Sequence, residues 1–179
     1  MNALLQVSRA IDATNRFVGR TTYWLILVTV LISGGNAVVR YGLNMSSNAW
    51  LEVQWYLFSA IFMLCAGYTL LNNEHIRIDI VSGHLDKRTR DWVDVIGHVF
   101  FLTPLCLLML YEGWPYFWLA FVSGEVSGNA GGLIRWPVKA LIVAGFALLL
   151  LQGLSELIKR VAIIRGDIPD PVAAKSSPH

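Results

Sequence analysis

Four charged side chains stand at comparable places in the long apolar runs of this sequence. Arg40 ends the first run, Glu52 begins the second, Glu112 lies late in the third and Lys139 begins the fourth. A charge at the edge of a hydrophobic stretch either pairs with an opposite charge or extends into the lipid headgroups. The sequence predicts that Glu52 pairs with Lys139 or Arg40, or that these groups meet the membrane face of a partner protein.

The middles of the four runs bear on transport chemistry, because hydrocarbon solvates neither a charge nor an open backbone. None of them contains a charged residue or a histidine; the centres lie at 28–31, 61–64, 102–105 and 146–149. No cation or acid finds a site there, so transport by this chain alone is not expected. Glu112 is the one residue that could line an axis shared between copies, provided that the third helix is long.

Redox chemistry and catalysis have no strong candidates either. His98 is the one histidine close to an apolar run, whereas a b-type haem needs two histidines on facing helices. We expect His98 to be satisfied by Asp94 or by water. Cys65 and Cys106 lie inside apolar runs and are interpreted as small packed or membrane-facing hydrophobes. Because no phosphate loop, nucleophile motif or metal-ligand spacing is found, we predict no catalytic residue, no metal site and no enzyme.

The composition places these residues in a membrane protein. Apolar residues make up 55% of the 179 residues and charged residues 15%, and the mean hydropathy is +0.55. The net charge of +2 is small and its cations are scattered, which does not favour nucleic acid as a partner. Four uncharged runs are each close to the length that crosses the hydrocarbon layer. We predict an all-α integral membrane protein with spans at about 21–40, 51–72, 95–120 and 136–156.

The third span has two interpretations, since apolar residues continue past Glu112 with Pro115 among them. A long tilted helix that reaches about residue 122 is favoured over a shorter helix followed by an interfacial aromatic segment. Pro104 should kink the helix in either case, unless neighbouring groups satisfy the carbonyl that it frees.

The positive charges predict the orientation. Eleven Lys and Arg belong to the N-terminal segment, the connection between spans two and three, and the tail; three lie on the opposite side, namely Arg40, Arg135 and Lys139. Since basic loops resist export, both termini are predicted to be cytoplasmic in a bacterial inner membrane.

The segments outside the spans carry local signals. Residues 1–20 have an amphipathic pattern that predicts a helix on the cytoplasmic surface; a cleaved signal peptide is the alternative. Asp86 is a candidate N-cap for a helix in which Arg90 could pair with Asp94. The stretch 123–132 is rich in Gly, Ser and Asn and predicts a mobile periplasmic loop.

The fourth span has signals at both ends. Pro137 suits the first turn of a helix, and Gly166 suits its C-terminal cap. We therefore predict one membrane domain over 1–166 and a disordered cytoplasmic tail over 167–179.

Several motifs resemble the small membrane (Q) subunit of tripartite ATP-independent periplasmic (TRAP) transporters, and the match runs nearly end to end. They are Asn48-Ala49-Trp50-Leu51-Glu52-Val53-Gln54-Trp55-Tyr56, Asn73-Glu74-His75-Ile76-Arg77-Ile78-Asp79, Gly124-Glu125, Asn129-Ala130-Gly131-Gly132 and Arg135-Trp136-Pro137-Val138-Lys139-Ala140. Many members of the family carry two consecutive acidic residues early in span two, whereas here Glu52 is followed by Val53. The Trp50 and Trp136 motifs look like the branch associated with mannitol, chloroaromatic or 2-keto acid systems.

The resemblance implies a three-part importer. A periplasmic solute-binding protein delivers an organic acid to a large membrane subunit, which performs the sodium-coupled transport. The small subunit is then a scaffold in the lipid bilayer with no cofactor of its own. Structural or partner-contact roles would fall to Arg40, Trp50, Glu52, Glu74, His75, Arg77, Asp79, Trp136 and Lys139. Two other hypotheses are a membrane anchor of a respiratory enzyme and a small oligomeric transporter or channel.

Overall fold

The computed structural model describes residues 2–45, 47–72 and 86–168. These residues form helices, apart from one isolated antiparallel bridge between Val126 and Ile134. The helices are α1 (Asn2–Leu43), α2 (Asn48–Leu71), α3 (Lys87–Gly97), a π-helical turn (His98–Leu102), α4 (Thr103–Ser123) and α5 (Trp136–Ile164). Glu74, His75, Arg77, Asp79 and most of the predicted tail lie outside the described residues.

Four helical segments are long and apolar enough to cross a membrane: α1, α2, Asp91–Ser123 and α5. Large apolar side chains cover their outer surface; Phe62, for example, is 75% exposed. The buried positions hold small or polar residues such as Ser8, Thr22 and Ala120. Small residues at helix contacts and large apolar ones outside are the arrangement of a membrane protein rather than a water-soluble one.

Helix α1 runs without a break for 42 residues, about 63 Å at the usual helical rise. The N-terminal segment is therefore helical, but it is continuous with the first span. Its polar side faces α5 and buries Ser8 and Asn15, whereas Leu4, Val7 and Phe17 are exposed. The polar residues turn inward because α5 offers them hydrogen-bond partners. Placement of this segment on the cytoplasmic membrane surface stays a prediction.

Glycines let the helices approach closely, and α5 contacts each of the other three long helices. Gly19 of α1 lies against the Tyr68 side chain of α2, and Gly67 of α2 lies against Asn15. A Cβ atom on Gly145 of α5 would be 2.8 Å from the carbonyl oxygen of Met63. Such small residues allow close backbone contact where the hydrophobic effect does not drive association.

The third span is the longer of the two predicted helices, because helical structure continues past Glu112 to Ser123. The π-helical turn ends two residues before Pro104, which has no N–H to donate to the carbonyl one turn earlier. The backbone N–H of Thr103 bonds the carbonyl of His98, and the Thr103 hydroxyl donates to the same oxygen at 2.8 Å.

The predicted helix ends are close to the observed ones. Pro137 lies in the first turn of α5. At the other end Gly166 has φ of 78°, its N–H bonds the Ile163 carbonyl at 3.0 Å, and the Asp167 N–H bonds the Ala162 carbonyl at 2.9 Å. This pair of bonds is a Schellman motif. Asp86 occupies the N-cap position of α3 as predicted, but its side chain makes no capping hydrogen bond.

Candidate functional site: two polar clusters

The first polar cluster, called the loop cluster, surrounds Glu52 in the second turn of α2. The carboxylate accepts hydrogen bonds from the Ser127 hydroxyl, from Asn129 Nδ2 at 2.9 Å and from the Leu133 backbone N–H at 2.7 Å. Glu52 is only 8% exposed. These donors come from both arms of the connection between α4 and α5, so one side chain fixes that connection to α2.

The connection is therefore an ordered turn, whereas the sequence predicts a mobile loop. The Ser127 N–H bonds the Leu133 carbonyl at 2.9 Å, beside the bridge from Val126 to Ile134. Tyr56 of α2 donates its hydroxyl to the Ile134 carbonyl at 3.1 Å. The Gly, Ser and Asn residues form turns, and Ser127 and Asn129 supply donors to the buried carboxylate of α2.

Lys139 does not pair with Glu52, so that one of the predicted alternatives is wrong. Its Nζ atom lies 2.5 Å from Glu125 Oε2 and 3.9 Å from the centre of the Tyr116 ring. The bridged connection returns Glu125 to the start of α5, where Arg135 Nη1 lies 3.9 Å from Glu125 Oε1. Because three donors already satisfy Glu52, the buried ammonium of Lys139 takes the carboxylate that is closer along the chain.

A cleft of about 420 Å³ opens beside the loop cluster, between α2, α4 and α5. Glu52, Asn129, Arg135 and Lys139 are among its polar lining residues, and Met63 and Ile142 are among the apolar ones. Glu52, Asn129 and Lys139 are hydrogen-bonded at this end of the bundle, and Arg135 forms a longer ion pair with Glu125. The chemistry of this end is therefore mainly structural.

We expect charge exchange to identify the true partner of Lys139. Lys139→Glu should place two carboxylates together and raise amide hydrogen exchange at Ser127 and Leu133 about tenfold. The double change Glu125→Lys with Lys139→Glu should restore protection in part. The control double change, Glu52→Lys with Lys139→Glu, should not restore this protection from exchange. If the control restored protection and the first double change did not, the observed pairing of Lys139 with Glu125 would be contradicted.

The second polar cluster, called the terminal cluster, joins the N-terminal part of α1 to the C-terminal part of α5. Asp12 Oδ1 accepts from Gln152 Nε2 at 2.9 Å and from the Ser155 hydroxyl at 2.7 Å, while Asp12 Oδ2 lies 3.1 Å from Lys159 Nζ. Lys159 also pairs with Glu156 at 2.5 Å. Lys159 thus bridges two carboxylates, and the Gln152 amide and the Ser155 hydroxyl add hydrogen bonds between the two helices.

Further bonds extend this cluster along α1 and on to α3. Asn15 Nδ2 donates to Gln152 Oε1 at 3.0 Å, and both residues are fully buried. Arg160 of α5 binds Asp91 at 2.9 Å and Asp94 at 3.2 Å. The pairing of Asp94 with Arg160 was not predicted. The terminal cluster therefore ties three helices together.

The two clusters lie at opposite ends of the bundle. Glu52 is in the second turn of α2, whereas Asn15 lies against Gly67, four residues before α2 ends at Leu71. The 24 residues of α2 span about 36 Å, close to the thickness of the hydrocarbon layer with its boundaries. The described helices thus keep these buried ion pairs at the two ends of the bundle.

The other predicted residues are placed apart from these clusters. Arg40 is exposed in the last turn of α1. Trp50 lines a separate cavity of about 350 Å³ between α1 and α2. Trp136 packs edge-on against Phe121 with ring centres 5.5 Å apart. His98 Nδ1 lies 2.7 Å from the backbone oxygen of Asp94, not from its carboxylate.

Sequence reasoning missed the terminal cluster, although a signal was present. Polar residues recur on α1 at intervals of four and three and on α5 at intervals of three, one and three, the spacing of one helix face; they are Ser8, Asp12 and Asn15, and Gln152, Ser155, Glu156 and Lys159. Two polar stripes in apolar surroundings predict that they face each other. The amphipathic pattern of residues 1–20 predicts a helix on the cytoplasmic membrane surface, because such a helix shows the same spacing.

A family model described as "Tripartite ATP-independent periplasmic transporters, DctQ component" matches residues 16–162. Searches of curated proteins and of solved structures found no match. The matched range contains the whole loop cluster and the α5 side of the terminal cluster. A transporter component agrees with four helices that can cross a membrane. The chain therefore belongs to the DctQ family, the small-subunit component of TRAP transporters, and is a multi-pass membrane protein of a transport family rather than of an enzyme family.

Proposed function

We propose that this chain is the scaffold subunit of a TRAP transporter, which supports a large membrane subunit during sodium-coupled uptake of an organic acid. A periplasmic binding protein delivers the acid, and sodium binds in the large subunit. The observation that carries the proposal is the placement of the two polar clusters at opposite ends of the bundle, where Glu52 is hydrogen-bonded and Lys139 and Lys159 are ion-paired inside the chain.

A transport path needs polar groups near the bilayer centre that are free to bind cargo. In the described part of this chain, the buried charged groups are satisfied within the chain instead: Lys139 and Asp91 form ion pairs, and Glu52 accepts hydrogen bonds. Buried threonines such as Thr22 and Thr29 donate to carbonyls of their own helix. This arrangement supports a role outside the path of the cargo.

Close packing favours a support that stays in place while another subunit moves. The glycine contacts of α5 and α2 and the polar clusters constrain both ends of the bundle. Closely packed helix interfaces resist gradual deformation. A fixed bundle with a large apolar outer surface suits the enlargement of a partner's footprint in the bilayer.

The same proposal includes an orientation with both termini in the cytoplasm of a bacterium and an inner-membrane location. Its support is the bias of Lys and Arg together with the contact between the start of α1 and the end of α5, which puts both at one end of the bundle. The motifs around Trp50 and Trp136 support the mannitol, chloroaromatic or 2-keto acid branch. A respiratory anchor is not favoured, since the family is a transporter component.

The proposal is tested by co-purification. We expect tagged chain, expressed with the large subunit encoded in the same operon, to retain that subunit through purification in a mild detergent. A tagged four-helix membrane protein of similar size and unrelated function is the control. Loss of the large subunit from the tagged chain at low salt and low detergent would reject a scaffold role.

A further inference from the structure

The outer face of α4 carries a continuous exposed stripe, called here the α4 seam. It lies opposite the buried line of Cys106, Gly113 and Ala120. Its residues are spaced alternately three and four apart, and they are Leu105, Leu108, Glu112, Pro115, Leu119 and Val122, all exposed. This heptad spacing is the pattern by which one helix packs along another.

Glu112 interrupts the seam with a single carboxylate. Among residues 2–45, 47–72 and 86–168, no side chain forms an ion pair or hydrogen bond with it. Its neighbour Gly113 faces Ile142 and Val143 of α5, about one turn deeper than Lys139. Glu112 therefore lies about one helical turn farther into the bundle than the Lys139–Glu125 pair, on a face that is otherwise apolar.

Pro115 adds a second acceptor to the same face. Proline has no N–H, so the Tyr111 carbonyl, one turn earlier, lacks its usual helical donor. The helix around Pro115 therefore carries one carboxylate, and the carbonyl one turn before Pro115 lacks its usual N–H donor. The matching group is a cation with several N–H donors, which arginine and lysine provide.

We propose that the α4 seam docks a membrane-spanning helix of the large subunit and that this helix places an arginine or lysine against Glu112. The inference rests on the proposed function and deepens it by naming the surface and its chemistry. A second copy of this chain would bring two Glu112 carboxylates together, which is unfavourable. Lipid alone would leave the carboxylate unpaired in an apolar environment.

Photo-crosslinking tests the surface. A photoreactive amino acid at Leu108 or Leu119, in cells that also express the large subunit, should form crosslinks to that subunit. The matched control is Leu107, which is 54% exposed on a neighbouring face of the same helix. Crosslinks from Leu107 alone, or crosslinks between copies of this chain from Leu108 and Leu119, would overturn the inference.

Charge reversal tests the chemistry. Glu112→Lys should reduce the co-purified large subunit at least about tenfold, and Glu112→Gln should reduce it less. Glu112→Leu should leave the melting temperature of the isolated chain unchanged or raise it, because an exposed carboxylate is removed. A change of one basic residue to glutamate in the large subunit should rescue Glu112→Lys.

The outcomes separate the two proposals. If the wild-type chain retains the large subunit and the Glu112→Lys variant retains it equally well, the proposed docking role of the α4 seam is wrong and the scaffold function stands. If wild-type chain fails to retain the large subunit, the scaffold function itself fails. If Glu112→Leu melts well below wild type, Glu112 stabilises the chain itself and the docking role is rejected.

Discussion

Replacement of Asp12 by leucine should lower the free energy of unfolding by about 3 kcal/mol, because it removes one partner of a largely buried ion pair. Lys159 would lose a carboxylate 3.1 Å away, and Gln152 and Ser155 would each lose an acceptor. Asp12→Asn should cost less, since the amide oxygen still accepts hydrogen bonds. The measurement is reversible unfolding of the purified chain in mixed detergent micelles.

Thr14→Val is the matched control for Asp12. Thr14 is exposed on the same helix, and its hydroxyl bonds the Ala10 carbonyl one turn earlier. This change should alter the free energy of unfolding by less than about 0.5 kcal/mol. Equal losses from Asp12→Leu and Thr14→Val would mean that the terminal cluster contributes nothing specific to the packing of α1 on α5.

Gly145→Ala should have the second large effect. The added methyl group would lie 2.8 Å from both Cβ and the carbonyl oxygen of Met63, so α5 and α2 would have to separate. Overpacking of this kind typically costs about 1–3 kcal/mol. The free energy of unfolding in the same micelles is the measurement.

Gly113→Ala supplies the comparison for Gly145→Ala, since it makes the same chemical change in the middle of another helix. Its Cβ atom would be 3.5 Å from Val143 Cγ2, an ordinary contact. Because alanine favours helix over glycine, the chain should gain about 0.5–1 kcal/mol. A loss of stability at Gly113 as large as that at Gly145 would show that the close approach at Met63 is not the cause.

The helices were predictable because they depend on local properties. Uninterrupted apolar length indicates each span, and Pro137 and Gly166 mark the ends of α5 through backbone preferences that act within a few residues. The π-helical turn before Pro104 was not predicted in detail. A proline predicts that the helix is distorted nearby. The kind of distortion depends on the Thr103 side chain and on the helices packed around it.

The partners of the buried charges were not predictable in the same way. Glu52 and Lys139 have opposite charges and lie at a similar depth. The partner that each of them binds nevertheless depends on how residues 123–135 fold. That fold uses donors from Asn129 and Leu133, which are about eighty residues away from Glu52 along the chain. The sequence pattern predicts how deep a residue lies along its helix and on which helix face it lies. It does not predict the path of the chain between two helices.

The amphipathic pattern of α1 shows a further limit. In water, a polar stripe faces solvent; between membrane helices, it can face another polar stripe, as Asp12 and Gln152 do. Both arrangements produce the same spacing of residues. Only the second stripe, on α5, distinguishes them.

The most direct test of the scaffold role is uptake by reconstituted vesicles that contain this chain alone, the large subunit alone, or both. With an inward sodium gradient and binding protein loaded with a radiolabelled organic acid, uptake should require both subunits. Vesicles with this chain alone should take up no more label than empty vesicles, because the buried charges of the two polar clusters are satisfied within the chain. Sodium-dependent uptake by vesicles that contain this chain alone would contradict the scaffold role.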